Sequence, residues 1–146
     1  MRPSDSIWLT SIVVFSCIVI PQCSSRVLGE LQQQAFRITP NDVEAHQGDE
    51  VVLRCEIERL AGRVQWTKDG YALGFSNEIL GYPRFSLNQN HSTGVFNLRI
   101  TNASVEDAAS YQCQVGPAKH NQPIRAGAKL TVLGSLKAHR SGHHWN

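Results

Sequence analysis

The chain has 146 residues, enough for one domain of about 100–120 residues with extensions at its ends. Its 14 basic and 12 acidic residues nearly balance, and no basic run or basic–aromatic interleaving points to nucleic acid. Charged residues are 18% of the chain, below the usual share of about 25%, so its surface is not heavily charged.

The first 25 residues read as a leader. Arg2 opens a short basic segment, weakened by Asp5, and Ile7 to Ile20 is mostly apolar, broken by Thr10, Ser11 and Ser16. That length suits the core of a signal peptide and is short for a bilayer span. Pro21 ends the run. Cys23-Ser24-Ser25 favours cleavage before Arg26; cleavage before Glu30, after Val27-Leu28-Gly29, is the second choice, and an uncleaved anchor is the alternative. Cys17 and Cys23 leave with the leader, so the secreted chain keeps Cys55 and Cys113. An even pair in an oxidising compartment predicts a disulfide; two buried free thiols are the other reading.

Residues 26–34 are polar and Gln-rich and read as a loose lead-in. Ala35 to Thr39 alternates as a half-buried strand, Pro40-Asn41-Asp42 breaks it in the manner of an edge strand that changes sheets, and Val43 to His46 resumes. Glu50 to Glu56 puts Val51, Leu53 and Cys55 on one face. Val64 to Lys68 puts Val64 and Trp66 inward, with Lys68 of the same parity at the exit, and turns Gln65 and Thr67 outward. Asp69-Gly70 is a turn signal before a short strand, Tyr71 to Phe75. Arg84 to Leu87 is a further strand, and Asn88 to Gly94 a turn. Phe96, Leu98 and Ile100 then alternate inward. After a small-residue loop, Tyr111, Cys113 and Val115 face in while Gln112 and Gln114 face out; the last strand runs from Ile124 to Leu133. No helical period appears.

Four of these residues fix the architecture. Trp66 follows Cys55 by 11 residues, and Tyr111 precedes Cys113 by two within Asp107-Ala108-Ala109-Ser110-Tyr111-Gln112-Cys113. Two strands joined by a disulfide, a Trp packed on it and a Tyr at the corner before the second Cys define an all-β immunoglobulin-like sandwich, of two antiparallel sheets. The added strand after Asp69-Gly70 makes it variable or intermediate in type. The domain is expected over residues 35–133, followed by a disordered tail over 134–146. That tail carries His139, His143 and His144 but no scaffold to hold a metal, so no metal and no cofactor are expected.

Arg84 and Asp107 are placed as a structural ion pair closing one end of the sandwich. Glu56 and Glu58 read as a solvated strand end. No nucleophile, base and orienting group assemble from the motifs, so an enzyme is not expected. Asn90-His91-Ser92 and Asn102-Ala103-Ser104 are acceptor sequons for glycosylation, flanking the strand from Gly94 to Ile100. Glycans there leave the opposite sheet open. Its outward residues Gln65, Thr67, Gln112 and Gln114 are uncharged and border Tyr71 and Phe75, a composition typical of an interface centre; an ordinary wet sheet face is the alternative.

The string from Val64 to Phe75, with Tyr111 to Ala118 and Ala128 to Leu133, resembles the first immunoglobulin domain of the nephrin and Irre-type cell-recognition family. Gly81 to Ser86 and Asn97 to Ser104 are most similar to its nephrin-like branch, that of insect Sticks and stones and Hibris. The resemblance implies a cell-adhesion domain whose partners are first immunoglobulin domains of Kirre-, Roughest- or nephrin-like receptors. It implies a pairing face comprising Gln65, Thr67, Lys68, Asp69, Phe75, Gln112, Gln114, Gly116 and Pro117. Family members are long and membrane-anchored, whereas this chain ends 13 residues after Leu133. The expectation is therefore an extracellular domain acting as a soluble competitor. A secreted immune-type recognition module, or a functionless truncation of a longer receptor, is the alternative.

Overall fold

Among the described residues alternating apolar positions mark ten short strands, most with one face toward the core. In the computed structural model, residues 32–134 are described; the expected leader with its cleavage sites, most of the expected lead-in and the expected tail, from residue 135 on, lie outside them. One sheet joins β1 (Ala35–Ile38), β4 (Glu56–Glu58), β8 (Val95–Ile100) and β3 (Val51–Leu53) in that order, with β7 (Phe85–Asn90) also paired to β8. The other runs β2 (Val43–His46), β10 (Ile124–Leu133), β9 (Ala109–Val115), β5 (Val64–Lys68) and β6 (Tyr71–Ala72).

Pro40 lacks the N–H that would continue the first ladder, and the chain crosses there from one sheet to the other. β1 pairs with β4, and β2 pairs parallel to β10. The expected strand from Glu50 to Glu56 is two strands. At Cys55 the N–H is taken by the Asn97 side chain (3.0 Å to Oδ1), so an amide side chain interrupts the ladder. The expected strand from Tyr71 to Phe75 stops at Ala72, because Gly74 turns the chain away with φ +96°. Arg84 lies just before β7, which extends through Asn90 and shortens the expected turn.

Between the sheets Trp66, Tyr111, Leu53, Leu98, Ile100 and Leu130 are almost wholly buried around Cys55 and Cys113. The two cysteines are bonded, with Cα atoms 6.4 Å apart. The Trp66 indole N–H donates to the Phe96 carbonyl at 2.8 Å, so its polar edge is satisfied where water cannot reach. The Tyr111 hydroxyl donates to the Asp107 carbonyl four residues upstream at 2.7 Å. This bond fixes the corner before β9, and burial pushes the Tyr111 phenol well above its ordinary range.

Asp107 is buried at 4% exposure and receives a two-pronged hydrogen bond from Arg84, with Arg84 Nη2 to Oδ1 at 2.8 Å. The Ser104 N–H donates to the same carboxylate at 2.8 Å. Glu56 departs from expectation. It is buried rather than solvated, because Arg37 on β1 (2.9 Å) and Arg54 (2.6 Å) close over its two oxygens. Glu58 stays half-exposed against Arg59.

Candidate protein-recognition face

β5 and β9 lie side by side in register, so their outward residues form rows across the sheet. Gln65 stands opposite Gln114, and Arg125 on β10 stands on Gln114's other side. In the next row Thr67 stands opposite Gln112, with Gly127 beyond. The three glutamines are half-buried, and Gln114 donates its amide to Gln112 Oε1 at 2.5 Å. Gly127 ends this row without a side chain. The face centre is thus three neutral amides beside Arg125, with no carboxylate in either row.

Two residues of the expected set stand differently. Thr67 is only 6% exposed, covered by its neighbours in the second row and by Ala72, its register partner on β6. Lys68 turns to the closed end of the sandwich, where its ammonium donates to the Glu106 carbonyl at 3.2 Å. Its inward parity takes it off the face. Asp69 is exposed at the rim, in a two-residue turn with Gly70 (φ +47° and +84°) that joins β5 to β6. Its carboxylate accepts from the Ser110 N–H at 2.8 Å.

At the other end of β5, Phe75 is 41% exposed and carries the Arg63 guanidinium 3.8 Å above its ring centre. Gly116 is half-exposed and Pro117 exposed at the start of the loop between β9 and β10. Gly116 donates its N–H to the Arg63 carbonyl at 2.9 Å, and Gly62 packs so closely on the Gly116 carbonyl that no side chain fits there.

Gln34 holds this loop from below. It belongs to the segment read as loose, yet it is 2% exposed. Its side-chain amide donates to the carbonyls of Gly116 (3.0 Å) and Gln122 (2.7 Å). Its side-chain oxygen accepts from the N–H groups of Ala61 (3.3 Å) and Gly62 (3.0 Å). Its own N–H goes to Asn121 Oδ1 at 2.6 Å, and Gln33 adds bonds to His120 and Gln122. Two loops distant in sequence are therefore joined through one buried side chain.

The sequence reading also passed over Arg63 and Arg125. The alternation along β10 was a usable signal for the second: Leu130 and Val132 point inward, so Arg125 shares the outward parity of Gly127 and Lys129. Asn90 and Asn102 are exposed at opposite ends of the other sheet's β7–β8 pair, away from the amide rows. Asn90 Oδ1 accepts from the Ser92 and Thr93 N–H groups, tightening the turn that follows. Among the described residues no helix is long and apolar enough to cross a membrane.

Two sheets, a buried Trp against the inter-sheet disulfide, and a fifth strand beyond β5 in the second sheet define a variable-type immunoglobulin domain. The chain belongs to the immunoglobulin V-set domain family, whose profile matches residues 38–133. Within that class it is homologous to the Irre, Roughest and nephrin proteins. It is 39% identical to the irregular chiasm C-roughest protein of Drosophila melanogaster over 104 residues, 70% of this chain and 14% of that one. It is 40% identical to human Kin of IRRE-like protein 1, across 69% of this chain and 13% of that one. Human nephrin is 37% identical, across 57% of this chain and 7% of that one. The chain therefore spans about a seventh or less of these relatives. The crystal structure of Duf (Kirre) D1 superposes with a TM-score of 0.66 at 40% identity, covering 70% of this chain and 98% of that one. Rst D1-D2 gives 0.67 at 37% identity, covering 70% of this chain and 50% of that one. None of these relatives is an enzyme.

Proposed function

We propose that the domain is an extracellular recognition module. It binds the first immunoglobulin domain of a Kirre-, Roughest- or nephrin-like receptor through the outer face of β5 and β9. One observation carries the reading: the Gln65–Gln114 pair is uncharged and half-buried, yet lies at the centre of a sheet whose rim holds Phe75 and Pro117. A charge-depleted centre with aromatic neighbours is interface composition. The family membership supports a cell-adhesion role, and the likeness to Kirre D1 over 98% of that domain supports reading this chain beside the relatives' first domains. Glycans on Asn90 and Asn102 would leave this face clear. Gln65, Gln112, Gln114, Phe75, Gly116 and Pro117 form the contact surface in this reading, with Asp69 at its rim. An unanchored copy of the domain would occupy its receptor's face and compete with anchored relatives.

The test is binding of the disulfide-intact chain to the first domains of Roughest, Kin of IRRE-like protein 1 and nephrin. Gln114→Asp and Gln65→Lys are expected to weaken binding at least about tenfold, because a central charge must be desolvated in the complex. Thermal unfolding should shift little, since both positions stay wet in the free domain. Parent-like binding by both variants would place the contact elsewhere.

A further inference from the structure

Seven arginines lie within the described residues, and five of them meet a carboxylate: Arg37 and Arg54 on Glu56, Arg59 on Glu58, Arg84 on Asp107 and Arg99 on Glu50. The remaining two, Arg63 and Arg125, have no carboxylate within 4.0 Å among the described residues, and both line the same cleft. The cleft measures about 370 Å³ on the outer face of the second sheet. Gln65 and Gln114 form its floor, and Phe75 and Ile124 are among its walls. Arg63 and Arg125 rise from β5's entry and from β10, the two strands flanking β9. Those strands stand about 10 Å apart, two strand spacings, so a group between them lies within reach of both side chains.

Arg63 is also held in place. Its guanidinium rests on the Phe75 ring, and its backbone carbonyl is tied to Gly116. An arginine stacked on an aromatic face keeps its N–H edge free and loses less entropy when it binds an anion. Elsewhere on this face, Lys129 shares its hollow with Asp42 and Asp69. The positive charge without a local counter-charge is therefore concentrated at the Arg63–Arg125 end.

We infer that this cleft receives an Asp or Glu side chain of the partner domain, gripped by Arg63 and Arg125 above the Gln65–Gln114 row. The inference rests on the reading of this face as the recognition surface and specifies the partner's chemistry. The occupant is a protein carboxylate rather than a sulfated glycan, because two cations set among neutral amides and apolar walls suit one desolvated anion. A polyanion calls for a longer basic track. A second copy of this chain fits poorly. It brings the same two guanidiniums, and of its outward carboxylates Asp42 and Asp69 already accept from the N–H groups of Lys129 (2.7 Å) and Ser110 (2.8 Å), while Glu44 lies on β2, at the far edge of the sheet from β5.

The experiment measures affinity of the parent chain, Arg63→Gln, Arg125→Gln and Gln114→Asp for the same three first domains, at several sodium chloride concentrations. Each Arg→Gln change is expected to weaken binding about thirtyfold, as for a desolvated charge left without its partner, and to flatten the salt dependence. Replacing a partner Asp or Glu with Lys should restore binding to Arg125→Glu. Loss of binding in Gln114→Asp alone, with both Arg→Gln variants like the parent, would overturn the carboxylate and keep the face. Binding to none of the domains overturns both. Self-association or heparin capture abolished by the same Arg→Gln changes would also overturn the inference, in favour of a second copy or a sulfated glycan.

Discussion

Asp107 is under two opposing influences. Burial pushes its carboxyl up, but the hydrogen bonds from Arg84 and the Ser104 N–H, with the nearby positive charge, outweigh it and hold the group below its ordinary value. Glu56 is held low by its bonds to Arg54 and Arg37, against a smaller cost of burial. A carboxylate with a depressed folded pKa stabilises the fold above its unfolded value, about 4, and that contribution is lost as pH falls towards the folded value. The melting temperature should therefore drop below pH about 4. Asp107→Asn should lower stability at neutral pH by about 1–3 kcal/mol and make the acid limb shallower, as read by thermal unfolding across pH. Arg84 is about one-third exposed, so solvent screens the unpaired charge and the cost stays in that range. The pairing of Arg84 with Asp107 was legible because Asp107 belongs to the motif ending at Cys113. Glu56 was not. One of its arginines comes from β1, 19 residues away, through a register that alternation alone does not give.

The loop between β9 and β10 owes its shape to an element outside either strand. Gln34 satisfies two carbonyls in that loop and two N–H groups in the turn before β5, so it links loops that no ladder joins. Gln34→Leu keeps similar volume but strands those four backbone groups, at a cost of about 2 kcal/mol or more, partly relieved by water. Amide exchange over residues 116–122 should accelerate, while the β5–β9 ladder stays protected. Exchange rates unchanged in the loop would show that it holds itself. No periodicity exposes this role: a run of three glutamines reads as polar linker, and the side-chain bonds reach 27 to 88 residues along the chain. The strands were more legible than the joints between them. Ile124–Leu133 and Val43–His46 have the bounds that alternation assigns, whereas the break at Cys55 depends on a side chain from β8.

For the whole molecule the informative features were the rare residues: two cysteines, Trp66 between them, and Tyr111 near the second. Their spacing selects one architecture because only a two-sheet sandwich brings all four together in one core. The disulfide spans 58 residues, and closing such a loop is worth about 4 kcal/mol in the chain-entropy model. Cys55→Ser should lower stability by about that amount, and further where the smaller side chain leaves the core imperfectly filled. Denaturant unfolding of the variant beside the parent measures it; a loss under about 1 kcal/mol would mean that the unfolded chain is little constrained by the bond. The face was only partly legible. Alternation places Gln65, Gln112 and Gln114 outward, but covering of Thr67 depends on neighbouring strands, and the unpaired state of Arg63 and Arg125 depends on where every carboxylate falls.

The crossing at Pro40 has a mechanical consequence. Because β2 runs parallel to β10, with Val43 beside Leu130 and His46 beside Leu133, the described chain enters at one end of this strand pair and leaves at the other. Tension between the two ends loads those hydrogen bonds in shear, all together, instead of peeling them one after another. Beyond them the disulfide limits extension, since the span from Cys55 to Cys113 cannot pay out while that bond is intact. A domain built this way transmits a pull along its length with little change in the exposed face of β5 and β9.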